Sequence, residues 1–270
     1  MSLIGSFILG IVQGATEFLP VSSSGHLILA RDWLGLNTAT GLTYDAILQL
    51  ATVLAVILYF RTDVLQLARD LLLSVSGRAS EVPRERRNLL LALVAGTIPA
   101  VAVGILLEDV METTFRSVTL VAVTLVLGGV LMVVAEQRLT AHGSPLTVPK
   151  GWWIGWFQTL ALVPGVSRSG ATISGGLLLG LTREAATRFS FLLSIPVIAG
   201  SGLKKLTDVL LAPAVPFDWT SIGIGFLTAF LVGLGAIHFL LRYLKRHTLY
   251  AFVWYRFALA ALVVLVSGRG

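Results

Sequence analysis

Residues Gln13–His26 read QGATEFLPVSSSGH and residues Gln158–Thr172 read QTLALVPGVSRSGAT, two polar knots set inside strongly apolar sequence. An ungapped shift of 145 positions lays Gly10, Gln13, Val21, Ser22, Ser24 and Gly25 on Gly155, Gln158, Val166, Ser167, Ser169 and Gly170. These are six identities in the sixteen positions from 10 to 25. A composition this biased gives roughly one or two by accident, so the chain reads as an internal duplication. The copies part where charge is carried: Glu17 faces Leu162, Ser23 faces Arg168 and His26 faces Ala171. One copy holds a carboxylate and an imidazole, the other a guanidinium.

The sequence around the knots is that of a membrane protein. Of 270 residues, 56% are hydrophobic and 13% charged, with a mean hydropathy of +0.87, whereas soluble domains carry about 25% charged residues. The apolar runs lack the alternation of a barrel strand, so self-satisfied helices are the expected spanning elements. With no cysteine, disulfides, thiolate chemistry and Cys-ligated metals are excluded. The net charge of +6 comes from Lys and Arg in short loops between apolar segments. There they set topology and meet anionic lipid, so no nucleic-acid partner is expected. The first twenty residues have neither a basic leader nor an A-x-A site, and no removable signal peptide is read.

Taken in order, 3–19 and 27–36 are each short of the about 20 residues that a span needs, and Ser22–His26 between them is too polar for lipid. Helix, polar tip, helix predicts a re-entrant hairpin, and the pattern returns over 152–181. Six spans are expected near 43–60, 89–107, 117–136, 185–204, 219–241 and 249–267. The expected fold is therefore an all-α polytopic membrane protein with six transmembrane helices and two re-entrant helical hairpins. It forms a single membrane domain over 1–270, with repeat 1 at about 1–140 and repeat 2 at about 150–270. Three spans per repeat invert the second copy, which brings the tips together near the midplane.

Loop cations orient the chain. Arg61, Arg69, Arg78, Arg84, Arg86, Arg87, Arg138, Lys150, Arg183, Arg242, Lys245 and Arg246 fall on one face, against Arg31, Arg116, Lys204, Lys205 and Arg269 on the other. The first set is placed in the cytoplasm, which puts both termini and the first hairpin outside. The segment from Val64 to Val75 reads as an amphipathic interfacial helix or a solvated connector.

Gln13 and Glu17 are one turn apart on a single helix face. A carboxylate in a membrane segment should line a cavity, as metal ligand or general base, or pair with an arginine such as Arg168. Ser22, Ser23, Ser24 and Gly25 can cap the following helix, and a tip of hydroxyls and free amides also suits phosphate oxygens. One hydroxyl could attack phosphorus, with His26 donating a proton or orienting the serine. In the second tip Ser167, Ser169, Gly170 and Thr172 surround Arg168, whose planar fork of donors matches phosphate. Arg188, four residues after Glu184, reads as its interfacial partner, while Arg256 in the last span reads either as a supporting residue of the site or as a structural cation.

QGATEFLPVSSSGH and PGVSRSGATISG together resemble the two signatures of the undecaprenyl-diphosphatase (bacitracin-resistance) family, in order, spacing and apolar setting over essentially the whole chain. The resemblance implies a bacterial plasma-membrane phosphatase that hydrolyses undecaprenyl diphosphate and recycles the lipid carrier of peptidoglycan synthesis. It implies a site open to the outer face and a divalent cation, Mg2+ or another such as Ca2+. Carried onto this chain, Glu17 would bind metal or act as base, Ser23 would be nucleophile, His26 a helper and Arg168 the phosphate clamp. Ser167 and Thr172 would add hydroxyl contacts. Gln13 stands where the family often has glutamate, so magnesium would rest on Glu17, diphosphate oxygens and water. Membrane lipids are the other expected partners, and the glycine-rich spans allow a homodimer. An inverted repeat with broken helices also describes a transporter or flippase of a lipid phosphate or small anion, the alternative activity.

Overall fold

The computed structural model describes residues 2–36, 41–107, 117–139, 143–211 and 218–267. Among them are eleven α-helices and no strand: α1 (Leu3–Phe18), α2 (Ser23–Trp33), α3 (Gly41–Tyr59), α4 (Arg61–Val75), α5 (Arg84–Leu106), α6 (Val118–Gln137), α7 (Val148–Leu160), α8 (Arg168–Leu178), α9 (Arg183–Leu211), α10 (Trp219–Leu244) and α11 (Tyr250–Ser267). The expected all-α polytopic membrane architecture is the one observed. The cations Arg116 and Arg269 lie outside the described residues.

Length and composition mark α5, α6, α9 over Arg183–Lys204, and α10 as able to cross a membrane. α3 and α4 together make a fifth candidate, bent by 87° between Tyr59 and Arg61. α11 is a shorter apolar helix over Tyr250–Val266. The sequence reading expects six spans; α3 with 19 residues and α11 with 18 are close to the length that a span needs. The first turns of α3 carry Tyr44, Asp45 and Gln49, and the helix breaks at Phe60. The sharp turn into α4 is the geometry an interfacial helix needs, and α4 leaves Leu65, Leu72 and Val75 exposed on one stripe.

The two predicted hairpins are present as α1–α2 and α7–α8. Their helices of 16, 11, 13 and 11 residues are about 24, 17, 20 and 17 Å long at 1.5 Å per residue. None reaches the about 30 Å of a bilayer's hydrocarbon core. Each leading helix is held by a close crossing built from small residues. A Cβ on Gly10 or Gly14 of α1 would lie 2.6 Å from the carbonyl oxygen of Gly225 or Ala229 in α10. A Cβ on Gly151 or Gly155 of α7 would lie 2.5 or 2.3 Å from that of Ala92 or Gly96 in α5. α6 packs along α11, and α3 packs against α9 and α10.

Ion pairs tie one end of the bundle. Arg183 meets Glu136 at 2.5 Å, and Glu136 also accepts the Leu249 amide at 2.8 Å, joining α6 and α9 to the residue just before α11. Arg188 pairs with Asp63 of α4, while Glu184 takes Lys245 at 3.5 Å. The expected Glu184–Arg188 pair is thus replaced by two longer-range pairs, because neighbouring helices offer partners that a single-helix spacing cannot reveal.

Candidate active site

Each hairpin turns on one serine. Leu19 precedes Pro20, a placement that disfavours helical backbone, and it leaves α1 in an extended conformation at φ −65°, ψ 141°. Ser22 then takes φ 76° and Ser167 takes φ 77°, and among the described residues no other non-glycine has a positive φ. Such conformations cost on the order of 1–3 kcal/mol and persist where surrounding contacts impose them. Here the serine side chains cap the helices that follow. Ser22 Oγ accepts the Gly25 amide at 3.3 Å, and Ser167 Oγ accepts the Gly170 amide at 3.1 Å. Gly25 and Gly170 therefore serve as backbone donors within the caps.

The tips touch. Ser22 Oγ also accepts the Gly165 amide at 3.1 Å, and Ser169 donates to Leu19 O at 3.1 Å. Between the tips lies a cavity of about 140 Å³ lined by Glu17, Ser22, Ser23, Ser24, Gln49, Ala161, Ser167, Arg168 and Ile198. Its polar centre is a chain of hydrogen bonds. Ser23 Oγ donates to Glu17 Oε2 at 2.7 Å, Gln13 Nε2 donates to the same oxygen at 2.9 Å, and Arg168 Nη2 donates to Glu17 Oε1 at 2.9 Å. Arg168 Nη1 reaches Ser190 O at 3.4 Å, and its Nε is buried without a partner. The positive N-terminal ends of α2 and α8 border the same space, so an anion there meets two helix termini and a guanidinium donor.

The remaining expected residues stand around this centre. Thr172 lies behind Arg168, donating to Arg168 O at 2.8 Å and meeting Ser190 Oγ at 2.6 Å. His26 does not line the cavity. Its Nδ1 donates to Ser22 O at 2.7 Å, which leaves Nε2 to accept from Tyr255 OH at 2.7 Å. Gln49, Ser190 and Tyr255 were not singled out by the sequence. Gln49 had a signal, a lone amide in the apolar run of α3, whereas Ser190 and Tyr255 are found only through tertiary contacts.

Among the described residues there is no cluster of three or more His, Cys, Asp or Glu side chains. The donor set at the tips nevertheless suits a hard cation. Gln13 Oε1 is buried without a partner beside Glu17 and Ser23, and oxygen-only donors fit Mg2+ or Ca2+ when the substrate supplies the rest.

A multi-pass membrane protein with a buried carboxylate, guanidinium and serine hydroxyls between two capped helix ends belongs to the anion-handling class. Residues 6–262 match the family described as bacitracin resistance protein BacA. The chain is similar to the undecaprenyl-diphosphatase of Rubrobacter xylanophilus, at 45% identity over 267 residues that cover 97% of each chain. It is 40% identical to that of Micrococcus luteus over 274 residues, covering 100% of this chain and 99% of the relative. Against that of Geotalea daltonii the identity is 42% over 273 residues, covering the full length of both. The chain belongs to the bacitracin resistance protein BacA family.

Proposed function

We propose that this chain hydrolyses undecaprenyl diphosphate to undecaprenyl phosphate and inorganic phosphate in the bacterial plasma membrane. The reaction recycles the lipid carrier of peptidoglycan synthesis and confers bacitracin resistance. In this reading the hairpins enter from opposite faces as an inverted repeat, and the site and both termini face outward. The observation that carries the proposal is the chain Ser23–Glu17–Arg168, a hydroxyl 2.7 Å from a carboxylate whose other oxygen is 2.9 Å from a guanidinium.

The isoprenoid tail lies in lipid and the diphosphate reaches the cavity. There the Arg168 guanidinium and the N-terminal ends of α2 and α8 take up its negative charge. Ser23 Oγ attacks the terminal phosphorus while its proton passes to Glu17 Oε2. The bond from phosphorus to the bridging oxygen breaks, and undecaprenyl phosphate leaves. Water then cleaves the phosphoserine, giving inorganic phosphate and restoring Ser23. Gln13, Glu17 and Ser23 would hold a divalent cation, which supplies charge neutralisation on the diphosphate oxygens. Ser167 and Ser24 place further hydroxyls on the cavity wall.

Phosphate release by purified protein in detergent, with and without chelator, tests the reading. Loss of release with chelator and in Glu17→Ala and Arg168→Ala is expected. A wild type that binds the lipid yet releases no phosphate would overturn it in favour of lipid transport. A phosphorylated Ser23 trapped by rapid quench distinguishes serine from direct water attack; a Ser23→Ala variant that still turns over would sink the covalent step.

A further inference from the structure

Arg256 of α11 is fully buried and is the largest such side chain among the described residues, yet the reaction above does not use it. Its guanidinium donates from Nε to Leu125 O at 3.0 Å and from Nη1 to Pro20 O at 3.2 Å. From Nη2 it donates to Thr124 O at 3.2 Å and Gly165 O at 2.8 Å. All four acceptors are backbone carbonyls, and none of these partners is a carboxylate. They belong to three segments: α6, the turn after α1 and the turn before α8. Burying a cation without a counter-charge is costly, so a feature that offsets this cost should be visible. The donors of a guanidinium form a rigid planar fork, and one such fork fixes four acceptors, and so both tips, relative to α6.

The surroundings are cut to fit it. A Cβ on Gly128 of α6 would lie 2.1 Å from Nη2, and Gly165 sits at φ +96° where its carbonyl meets the fork. The neighbouring residue grips the first tip again, because Tyr255 OH meets His26 Nε2 and His26 Nδ1 holds Ser22 O, both at 2.7 Å. On the opposing helix Thr124 Oγ1 donates to Pro164 O at 2.6 Å, a second hold on the second tip.

We infer that Arg256, with Tyr255 acting through His26, is a positioning residue that sets the separation between Ser23 on one tip and Arg168 on the other. The inference rests on the cavity being the reaction site. It acts through geometry: Arg256 touches carbonyls rather than substrate, and its loss misplaces the attacking hydroxyl relative to the guanidinium.

Arg256→Lys keeps the charge and replaces a three-nitrogen fork by one nitrogen. It should lower kcat for phosphate release about ten- to a hundredfold, the scale expected of a roughly 1 Å misplacement, while KM stays nearly constant. Gly128→Ala leaves Arg256 in the chain but crowds its fork, and it should lower kcat in the same way. A wild-type kcat in Arg256→Lys, or a change confined to KM, overturns the inference. The chain has no cysteine, so a Leu19→Cys, Ser169→Cys pair reports tip separation in native membranes, before any purification and without reference to activity. Oxidative cross-linking of that pair should slow markedly in the Arg256→Lys background, and equal rates in both backgrounds overturn the clamp. Slowed cross-linking in a protein whose wild type releases no phosphate would instead remove the phosphatase reading and leave the clamp standing.

Discussion

At the first tip Ser22 turns the chain at φ 76° and caps α2, with Glu17 behind it and Ser23 ahead. At the second, Ser167 turns at φ 77° and caps α8, with Leu162 behind and Arg168 ahead. The backbones repeat while the reactive groups do not. The same strained, capped turn occurs twice, and a few side chains around it differ, so that one tip carries the hydroxyl and carboxylate and the other the guanidinium. The tips also differ in how they are anchored. Thr124 holds Pro164 of the second, and Arg256 reaches Pro20 of the first as well as Gly165 of the second. A site divided this way works only if the two halves stay in register.

Removing the carboxylate from the first tip should have the largest effect. Glu17→Gln keeps the shape but cannot accept the Ser23 proton, and kcat should fall about 10²- to 10⁴-fold in a phosphate-release assay. At the second tip, Arg168→Lys keeps a charge and loses the fork, so kcat/KM should fall about 10- to 100-fold, the value of one or two charged hydrogen bonds.

The crossings that carry the tips come next. Gly155→Ala puts a methyl 2.3 Å from Gly96 O, and Gly14→Ala puts one 2.6 Å from Ala229 O. Each should cost about 1–3 kcal/mol in thermal or denaturant unfolding in detergent, with the second hairpin the more sensitive.

The caps are the finest comparison. Ser22 Oγ accepts two amides and Ser167 Oγ one. Ser22→Ala should therefore cost more stability than Ser167→Ala, within about 0.5–2 kcal/mol for both. Glycine at either position should recover part of the loss, because φ is positive there. Equal costs at the two sites would mean that the Gly165–Ser22 contact between tips adds nothing.

Much of this was legible beforehand because polar residues in apolar helices are few and each needs a reason. The 145-residue offset places Ser22 on Ser167 and Gly25 on Gly170, and the structure gives each pair the same cap. Glu17, Ser23 and Arg168 were singled out as charge or hydroxyl with no business in lipid, and they meet. Residues whose role lies in a distant contact stayed hidden. His26 was expected as a helper, yet its ring bridges Ser22 to Tyr255 on α11, a pairing across 229 positions. Ser190 looked like one more small residue in α9 until its carbonyl and hydroxyl proved to back Arg168 and Thr172. The bend of α3 into α4 falls where the expected span ends at 60 and the amphipathic segment follows, although no proline or glycine marks it.

The central claim is that the two tips form one reaction site, and a double-mutant cycle on kcat/KM for phosphate release tests it directly, using Glu17→Gln, Arg168→Lys and the pair together. Groups that act as a unit are strongly non-additive. The double variant should be little worse than Glu17→Gln alone. Losses that simply multiply would contradict the account, since they would mean that the carboxylate of one tip and the guanidinium of the other act independently.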